Sequence, residues 1–489
     1  MAGVGFELRK LFKNKGYFSN IKGYFISTIV TTGNALLCII MIISVKFLLE
    51  YFGESFDNID VFIAVIVYAF AFSLILTGGF TFFASRYVSD CIYEKKVEEI
   101  MPSFLGIITL TLIIIFICGN LFFLKSNINS LVKITSYIIF AELSVIWIET
   151  VYISVLKDYI AIVKIFLIGV IAIFAGMFGL IKLFLVSPMM SILFSMDVGF
   201  MLIMTLFFIK LFCTFEFENL SVSECFKFLK SMDVYPELLL IGMFYFIGMY
   251  SHNFVFWFSE KGTVVENTFY IAPFYDIPVF YALLTIIPVV VLFTIKVDTS
   301  FHDKYKEYYT MAQGVGSFKD IKEARIDMIA TISVELRYLV QIQLFITWLS
   351  IVIGKTILFN LGILMLSRNI FSIVALGSCA YIIMYILIIF LLYFDDRTSV
   401  MLVTFIFFIS NIIFTKISLI LTESFYGYGF FFSTLISMVI AFFRLQKFLE
   451  NIDYHTFAEQ PIFKKTKIGP FTKIYNFIAR IEEKKVEKP

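Results

Sequence analysis

Apolar runs of about twenty residues or more recur along almost the whole chain, separated by short polar punctuation. A hydrocarbon core about 30 Å thick takes about 20 apolar residues per spanning helix, so each run predicts a span. Twelve are expected, at 24–50, 60–84, 104–124, 134–156, 159–181, 187–209, 236–258, 273–295, 334–354, 370–394, 399–421 and 427–447. The chain is 60% hydrophobic and only 16% charged, more apolar surface than a soluble fold of 489 residues can hide. The expected class is an all-α polytopic membrane protein.

The basic residues orient these spans, because Lys and Arg are retained in cytoplasmic loops. With the first segment inside, 30 of the 39 Lys and Arg fall on the cytoplasmic side and eight on the other, with Arg337 left at a boundary. Both termini are therefore expected in the cytoplasm. The polar stretch 210–235 has six runs before it and six after. A long charged loop follows the second run of each half, at 85–103 and 296–325. The pattern predicts two six-helix lobes, 24–209 and 236–447, joined by a cytoplasmic connection at 210–235, an arrangement common in transporters. No residue-by-residue repeat accompanies it.

Three amphipathic stretches flank the spans. In 1–23, Val4, Leu8, Leu11 and Phe12 share one helical face, and Glu7, Arg9, Lys10 and Lys13 lie mainly elsewhere, as in an interfacial helix. No cleavage site of a signal peptide follows it. A broad apolar stripe in 319–334 predicts a helix feeding the ninth run. The basic tail 448–489, with Lys464, Lys465, Lys467 and Lys473 among aromatics, suits anionic lipid, a partner protein or plain solvent.

Ionisable groups inside a bilayer cost about 2.5–3.5 kcal/mol each on insertion scales and so tend to face protein or a wet cavity. Glu142 and Glu149 are seven residues apart in the fourth run, hence on one helical face about 10 Å apart. Asp197 lies in the middle of the sixth. These three either line a hydrated path or hydrogen-bond to neighbouring helices. His252 and Asn253 stand near the outer end of the seventh run, and Asp276 opens the eighth; they form either an outer mouth or ordinary interfacial polarity. Glu335 and Arg337, two apart, point to different faces at the start of the ninth run and need separate partners. Pro278 and Pro288 are candidate kinks in the eighth. Gly78 and Gly79, and Gly169, Gly176 and Gly179, predict close helix approach.

Other chemistries find little support. Net charge is +2, with no field that argues for nucleic acid. Six scattered cysteines and three dispersed histidines suggest neither a disulfide framework nor a metal site. There is no Walker A loop, GxSxG elbow or HExxH motif, so neither an enzyme nor a cofactor is expected.

Several segments are similar in order to the PelG family, inner-membrane components of Pel exopolysaccharide systems. The opening MAGVGFELRKLF (1–12) is the most specific. ASRYVSDCIYEKKVEEIMPSFLG (84–106), ISVLKDYIAIVKIFLIG (153–169), YPELLLIGMFYFIGMYSHNFVFWFS (235–259), YDIPVFYALLTIIPVVVLFTIKVDTSF (275–301) and LLYFDDR (391–397) continue the resemblance. The tail is not covered. Where the family tends to carry a small-residue turn with proline, this chain has TTGNA (31–35), which puts a kink there in doubt. The resemblance implies a fold like the multidrug/oligosaccharidyl-lipid/polysaccharide (MOP) flippases. It implies a polysaccharide substrate rich in N-acetylgalactosamine, a PelF-like cytosolic glycosyltransferase and PelD- and PelE-like membrane partners. It transfers no functional residue. Competing readings are a proton- or sodium-coupled transporter of small molecules or lipid-linked oligosaccharide, and a non-conducting scaffold for the glycosyltransferase.

Overall fold

The computed structural model describes residues 17–126, 128–156, 158–215, 221–296, 300–360, 362, 364–458 and 469–486. The opening motif and Lys464, Lys465 and Lys467 of the tail lie outside these residues. Every expected run lies on helix: α1 (Tyr17–Tyr51), α2 (Phe56–Tyr93), α3 (Ile100–Phe123), α4 (Ser130–Val155), α5 (Tyr159–Phe184) and α6 (Pro188–Thr214). Two one-turn helices, α7 (Val222–Cys225) and α8 (Leu229–Met232), make the connection. Then follow α9 (Pro236–Trp257), α10 (Pro273–Leu284), α11 (Ile287–Lys296), α12 (His302–Thr310), α13 (Phe318–Asn360), α14 (Met365–Tyr393), α15 (Arg397–Ile420) and α16 (Tyr428–Glu450). The tail adds α17 (Ile452–Phe457) and α18 (Pro470–Val486). Among the described residues eleven helical segments are long and apolar enough to cross a bilayer, from α2 onward, with α10 and α11 together forming one of them. The chain is a multi-pass membrane protein. Helix α1, 35 residues long, covers the first expected run and passes through 31–35 as unbroken helix.

Two compact units emerge from the packing. The amino-terminal unit comprises residues 34–247 and 262–271 with α18; the carboxy-terminal unit comprises 272–458, 248–261 and the first part of α1. The connection 210–235 packs within the amino-terminal unit, and the division falls inside α9, between Ile247 and Gly248.

In the amino-terminal unit α2 packs on α4, α4 on α6, and α5 on α6. Close contact is bought with missing side chains. A Cβ on Gly242 of α9 would stand 2.1 Å from the Gly78 carbonyl oxygen of α2, and one on Gly199 of α6 would meet Ile173 of α5 at 2.2 Å. Gly179 departs from expectation: it has open space where a Cβ would go, so it contributes no close approach. A small antiparallel hairpin, β1 (Thr263–Val265) and β2 (Phe269–Ile271), interrupts the helical pattern with Val264 opposite Tyr270. The Tyr68 hydroxyl of α2 donates to the Tyr270 carbonyl and accepts from its N–H, both at 2.9 Å, which satisfies main-chain groups of the edge strand.

In the carboxy-terminal unit α14 is the centre, packed by α16, α10 and α13. The stripe expected in 319–334 and the ninth run form one 43-residue helix, α13. At 1.5 Å per residue it is about 65 Å long, roughly twice the hydrocarbon thickness. Its buried positions, Ala324, Met328, Ile332, Glu335, Leu339, Gln343 and Thr347, recur every three or four residues and make a single face. Leu344, Phe345, Trp348 and Val352 are exposed, as suits contact with acyl chains.

Helix α10 runs through Pro278 without a break, whereas the chain turns at Thr285–Ile286 and restarts at α11 with Pro288 in its first turn. Proline at 278 leaves the Phe274 carbonyl, four residues earlier, without its helical donor. The Ser367 hydroxyl of α14 supplies one at 2.8 Å.

Candidate functional site

Among the buried polar side chains of the described residues, two sets, one in each unit, contain the acids and neighbours selected from the sequence, and they differ in how they are satisfied. In the amino-terminal unit Glu142 and Glu149 project from α4, which packs on α6, the helix carrying Asp197. Glu149 is 1% exposed and Glu142 7%. One oxygen of each of the three carboxyl groups, Glu142 Oε2, Glu149 Oε2 and Asp197 Oδ1, is buried with no hydrogen-bond partner. Glu142 and Asp197 are near enough to interact electrostatically. An unpaired charge in such surroundings costs several kcal/mol, so these groups require a proton, a cation, water or a polar ligand. The neighbouring polar contacts do not reach them: Trp147 Nε1 donates to Ser73 Oγ at 2.9 Å, and Ser103 Oγ pairs with the Tyr152 hydroxyl at 3.0 Å.

In the carboxy-terminal unit the sequence-selected residues converge. Asp276, in the first turns of α10, accepts at Oδ1 from Asn253 Nδ2 (2.7 Å) and Trp257 Nε1 (2.9 Å). At Oδ2 it accepts from the same indole (2.9 Å) and from the backbone N–H of Ala272, the cap of its own helix (2.9 Å). Asn253 and Trp257 are four apart on α9 and so face the same way. His252, one residue before, turns to the Tyr275 hydroxyl with Nδ1 at 2.9 Å, and its ring lies 4.5 Å from that of Phe430. His252 Nε2 is buried without a partner. Trp257 and Tyr275 were not singled out from the sequence, although Trp257 lies one turn from Asn253 and the signal was present in that spacing.

Glu335 and Arg337 part company. Glu335 is buried and meets Lys296, the last residue of α11, at 3.2 Å; that ammonium also sits 5.1 Å from the Tyr338 ring centre. Arg337 is exposed on another face of α13. Among the described residues no cluster of three His, Cys, Asp or Glu side chains suits a metal. A cleft of about 280 Å³ beside α10, α13 and α14, lined by Tyr281, Thr285, Leu349, Gly354 and Phe371, has almost wholly hydrocarbon walls. It offers sugar hydroxyls few partners.

Outside the membrane the connection is tied down at several points. Lys227 meets Glu99 at 2.9 Å, and that carboxylate holds the ammonium above its ordinary pKa despite opposing desolvation. Asp233 accepts from the backbone N–H groups of Gly469, Phe471 and Thr472 and from the Thr472 hydroxyl, over 2.5–3.2 Å. Desolvation pushes its pKa up, but the Thr472 hydroxyl and these N–H groups together prevail and hold it below the usual carboxylate range. Glu482 of α18 returns the favour, accepting from Val222 N (3.0 Å) and Ser223 N (2.7 Å). Residues 469–486 are thus docked rather than solvated chain, a contact that sequence pattern did not reveal.

Solved structures share this fold. A variant of the Vibrio cholerae MATE transporter VcmN superposes with TM-score 0.63 at 10% identity, covering 92% of this chain and 99% of that one. A MOP-superfamily transporter from Pyrococcus furiosus gives 0.55 at 11% identity over 88% and 96%. The MATE transporter ClbM, solved with Rb+, gives 0.57 at 10% identity over 94% and 96%. At such identities the likeness is one of fold: the MOP architecture of transporters, as the sequence resemblance implied. No curated protein shows significant similarity. The family model of PelG, described as "Putative exopolysaccharide Exporter (EPS-E)", matches residues 1–457. That match covers most of the chain and includes both polar sets described above, and the chain belongs to the PelG family of exopolysaccharide exporters.

Proposed function

We propose that this chain carries a nascent, Pel-like exopolysaccharide rich in N-acetylgalactosamine across the bacterial plasma membrane as a cytosolic PelF-like glycosyltransferase extends it. PelD- and PelE-like proteins complete the assembly, and both termini of this chain face the cytoplasm. The observation that carries the reading is family membership over residues 1–457 joined to a transporter fold. A transporter rather than an enzyme fits both. The polymer crosses before deacetylation, so it is largely neutral, and hydrogen-bonding and aromatic groups serve it better than fixed charge.

The test places this chain and its glycosyltransferase in sealed inverted vesicles with labelled nucleotide sugar. Polymer protected inside the vesicles, and lost when this chain is omitted although synthesis continues, is the expected outcome. Equal synthesis with all polymer accessible outside would discard export and favour a scaffold.

A second reading has its own support. The unpartnered oxygens of Glu142, Glu149 and Asp197 suit coupling of transport to protons or sodium. Uptake of a small solute or lipid-linked oligosaccharide driven by an ion gradient, and lost in Glu149→Gln, is its signature.

A further inference from the structure

Helix α18 has a face that nothing in the described structure covers. Ile474, Phe477 and Ile481, spaced three and four apart, form one stripe and are 50%, 65% and 43% exposed. Lys473 and Arg480, seven apart, run along the border of that stripe, and both are exposed. The opposite face is occupied. Tyr475 lies under the Lys230 ammonium at 4.1 Å, and Glu482 caps α7. The helix is therefore held, and its apolar side is held outward.

Its position is set by the connection. Asp233, which caps the start of α18, is three residues before Pro236, the first residue of a spanning helix, so it stands within about 10 Å of that helix's beginning. Glu99, bound to Lys227, belongs to the first turn of another span. Gly469 permits the close approach: a Cβ there would stand 2.2 Å from Asp233 Oδ1. Pro470, at the first helical position, has no N–H to leave unpaired.

An apolar stripe bordered by cations, fixed beside the ends of spanning helices, has the chemistry of an interfacial helix. We propose that α18 lies in the headgroup layer of the membrane the protein spans, with Ile474, Phe477 and Ile481 in the acyl boundary and Lys473 and Arg480 on anionic lipid headgroups. The connection is then clamped between spans and lipid, and the composition of the leaflet acts on the segment that links the two halves of the chain. This binding is independent of what the protein transports.

The full chain in lipid nanodiscs tests it. Phe477→Trp and, as a control, Asn476→Trp, on a different face of α18, are compared with the parent protein, whose three tryptophans give the background. In discs containing phosphatidylglycerol with bromine at shallow acyl positions, the added fluorescence of Phe477→Trp is quenched and that of Asn476→Trp is not. Replacing the anionic lipid by phosphatidylcholine, or combining Phe477→Trp with Lys473→Glu and Arg480→Glu, reduces the quenching severalfold, since each basic residue near an anionic surface is worth about fivefold in association. Equal quenching at both positions would overturn the proposal and leave the face to a protein partner. Quenching at 477 that ignores lipid charge and both reversals would overturn it as well.

Discussion

Asp276 and the trio Glu142, Glu149 and Asp197 are all carboxyl groups within helices that span the membrane, yet they are opposites. Both Asp276 oxygens are filled by donors from two side chains and a helix cap. Each member of the trio retains a buried oxygen with no partner. A polar group whose hydrogen bonds are all met fixes structure, because every donor aimed at it would be orphaned by its loss. One with bonds unmet is costly to fold and persists where something else visits it. The carboxy-terminal set thus reads as a keystone joining α9 to α10, and the amino-terminal set as the place to seek a transported proton, cation or hydroxyl.

The largest effect that separates them is on stability. Asp276→Ala leaves Trp257 Nε1, Asn253 Nδ2 and the Ala272 N–H without their acceptor, at a cost of about 3–5 kcal/mol by analogy with broken buried pairs. Thermal unfolding in detergent should show a large fall in midpoint, whereas Glu149→Gln, which removes an unmet acceptor, shifts it by about 1 kcal/mol or less in either direction. Comparable losses in the two variants would erase the distinction.

The functional counterpart runs the other way. If the trio serves an ion, Glu149→Gln and Asp197→Asn reduce gradient-dependent translocation severalfold in inverted vesicles while polymer synthesis continues. Asp276→Asn, which retains an acceptor oxygen, leaves the gradient dependence in place among molecules that fold. Gradient dependence that survives in both trio variants would return these carboxyls to a structural role.

A fifth carboxylate, Asp233, extends the comparison beyond the membrane, since, like Asp276, it is saturated with donors. Asp233→Ala should cost about 1–2 kcal/mol locally, as for loss of a helix cap, and free α18. Hydrogen exchange of α18 amides is the readout. The pH dependence has a definite sign. Asp233 is held below its ordinary pKa, so its contribution is complete above the unfolded value near about 4 and is lost as pH falls through the lower folded value. Protection of α18 that stays flat across that window would deny Asp233 this role.

What could be read in advance follows from the range of the forces involved. Spans are written in local composition, so 134–156 and 187–209 coincide with α4 and α6 to within a few residues. The same local signal selected Glu142, Glu149 and Asp197, because an acid in an apolar run is conspicuous by itself. Their lack of partners was not legible, since it depends on what α2, α4 and α6 bring together. Asp276 was visible, but its indole donor was hidden among the aromatics that lipid contact also favours. The Asp233–Thr472 and Glu482–Ser223 contacts span more than 200 residues and have no local signature. Nor did pattern distinguish the two prolines of the eighth run, because a proline's effect depends on whether its orphaned carbonyl finds a donor.

That last difference makes the smallest prediction. Helix α10 continues through Pro278, where Ser367 Oγ donates to the Phe274 carbonyl, and the chain breaks just before Pro288. Ser367 is buried, so solvent does not replace it readily. Ser367→Ala should therefore cost about 1 kcal/mol, the net worth of one hydrogen bond, and loosen the first turns of α10 where Asp276 sits. In the double variant Ser367→Ala with Pro278→Ala the main chain regains its own donor, and most of the loss is recovered. A double-mutant cycle in thermal stability measures that coupling. Additive losses would mean that the hydroxyl packs without substituting for the missing N–H, and that α10 tolerates Pro278 through its neighbours' packing alone.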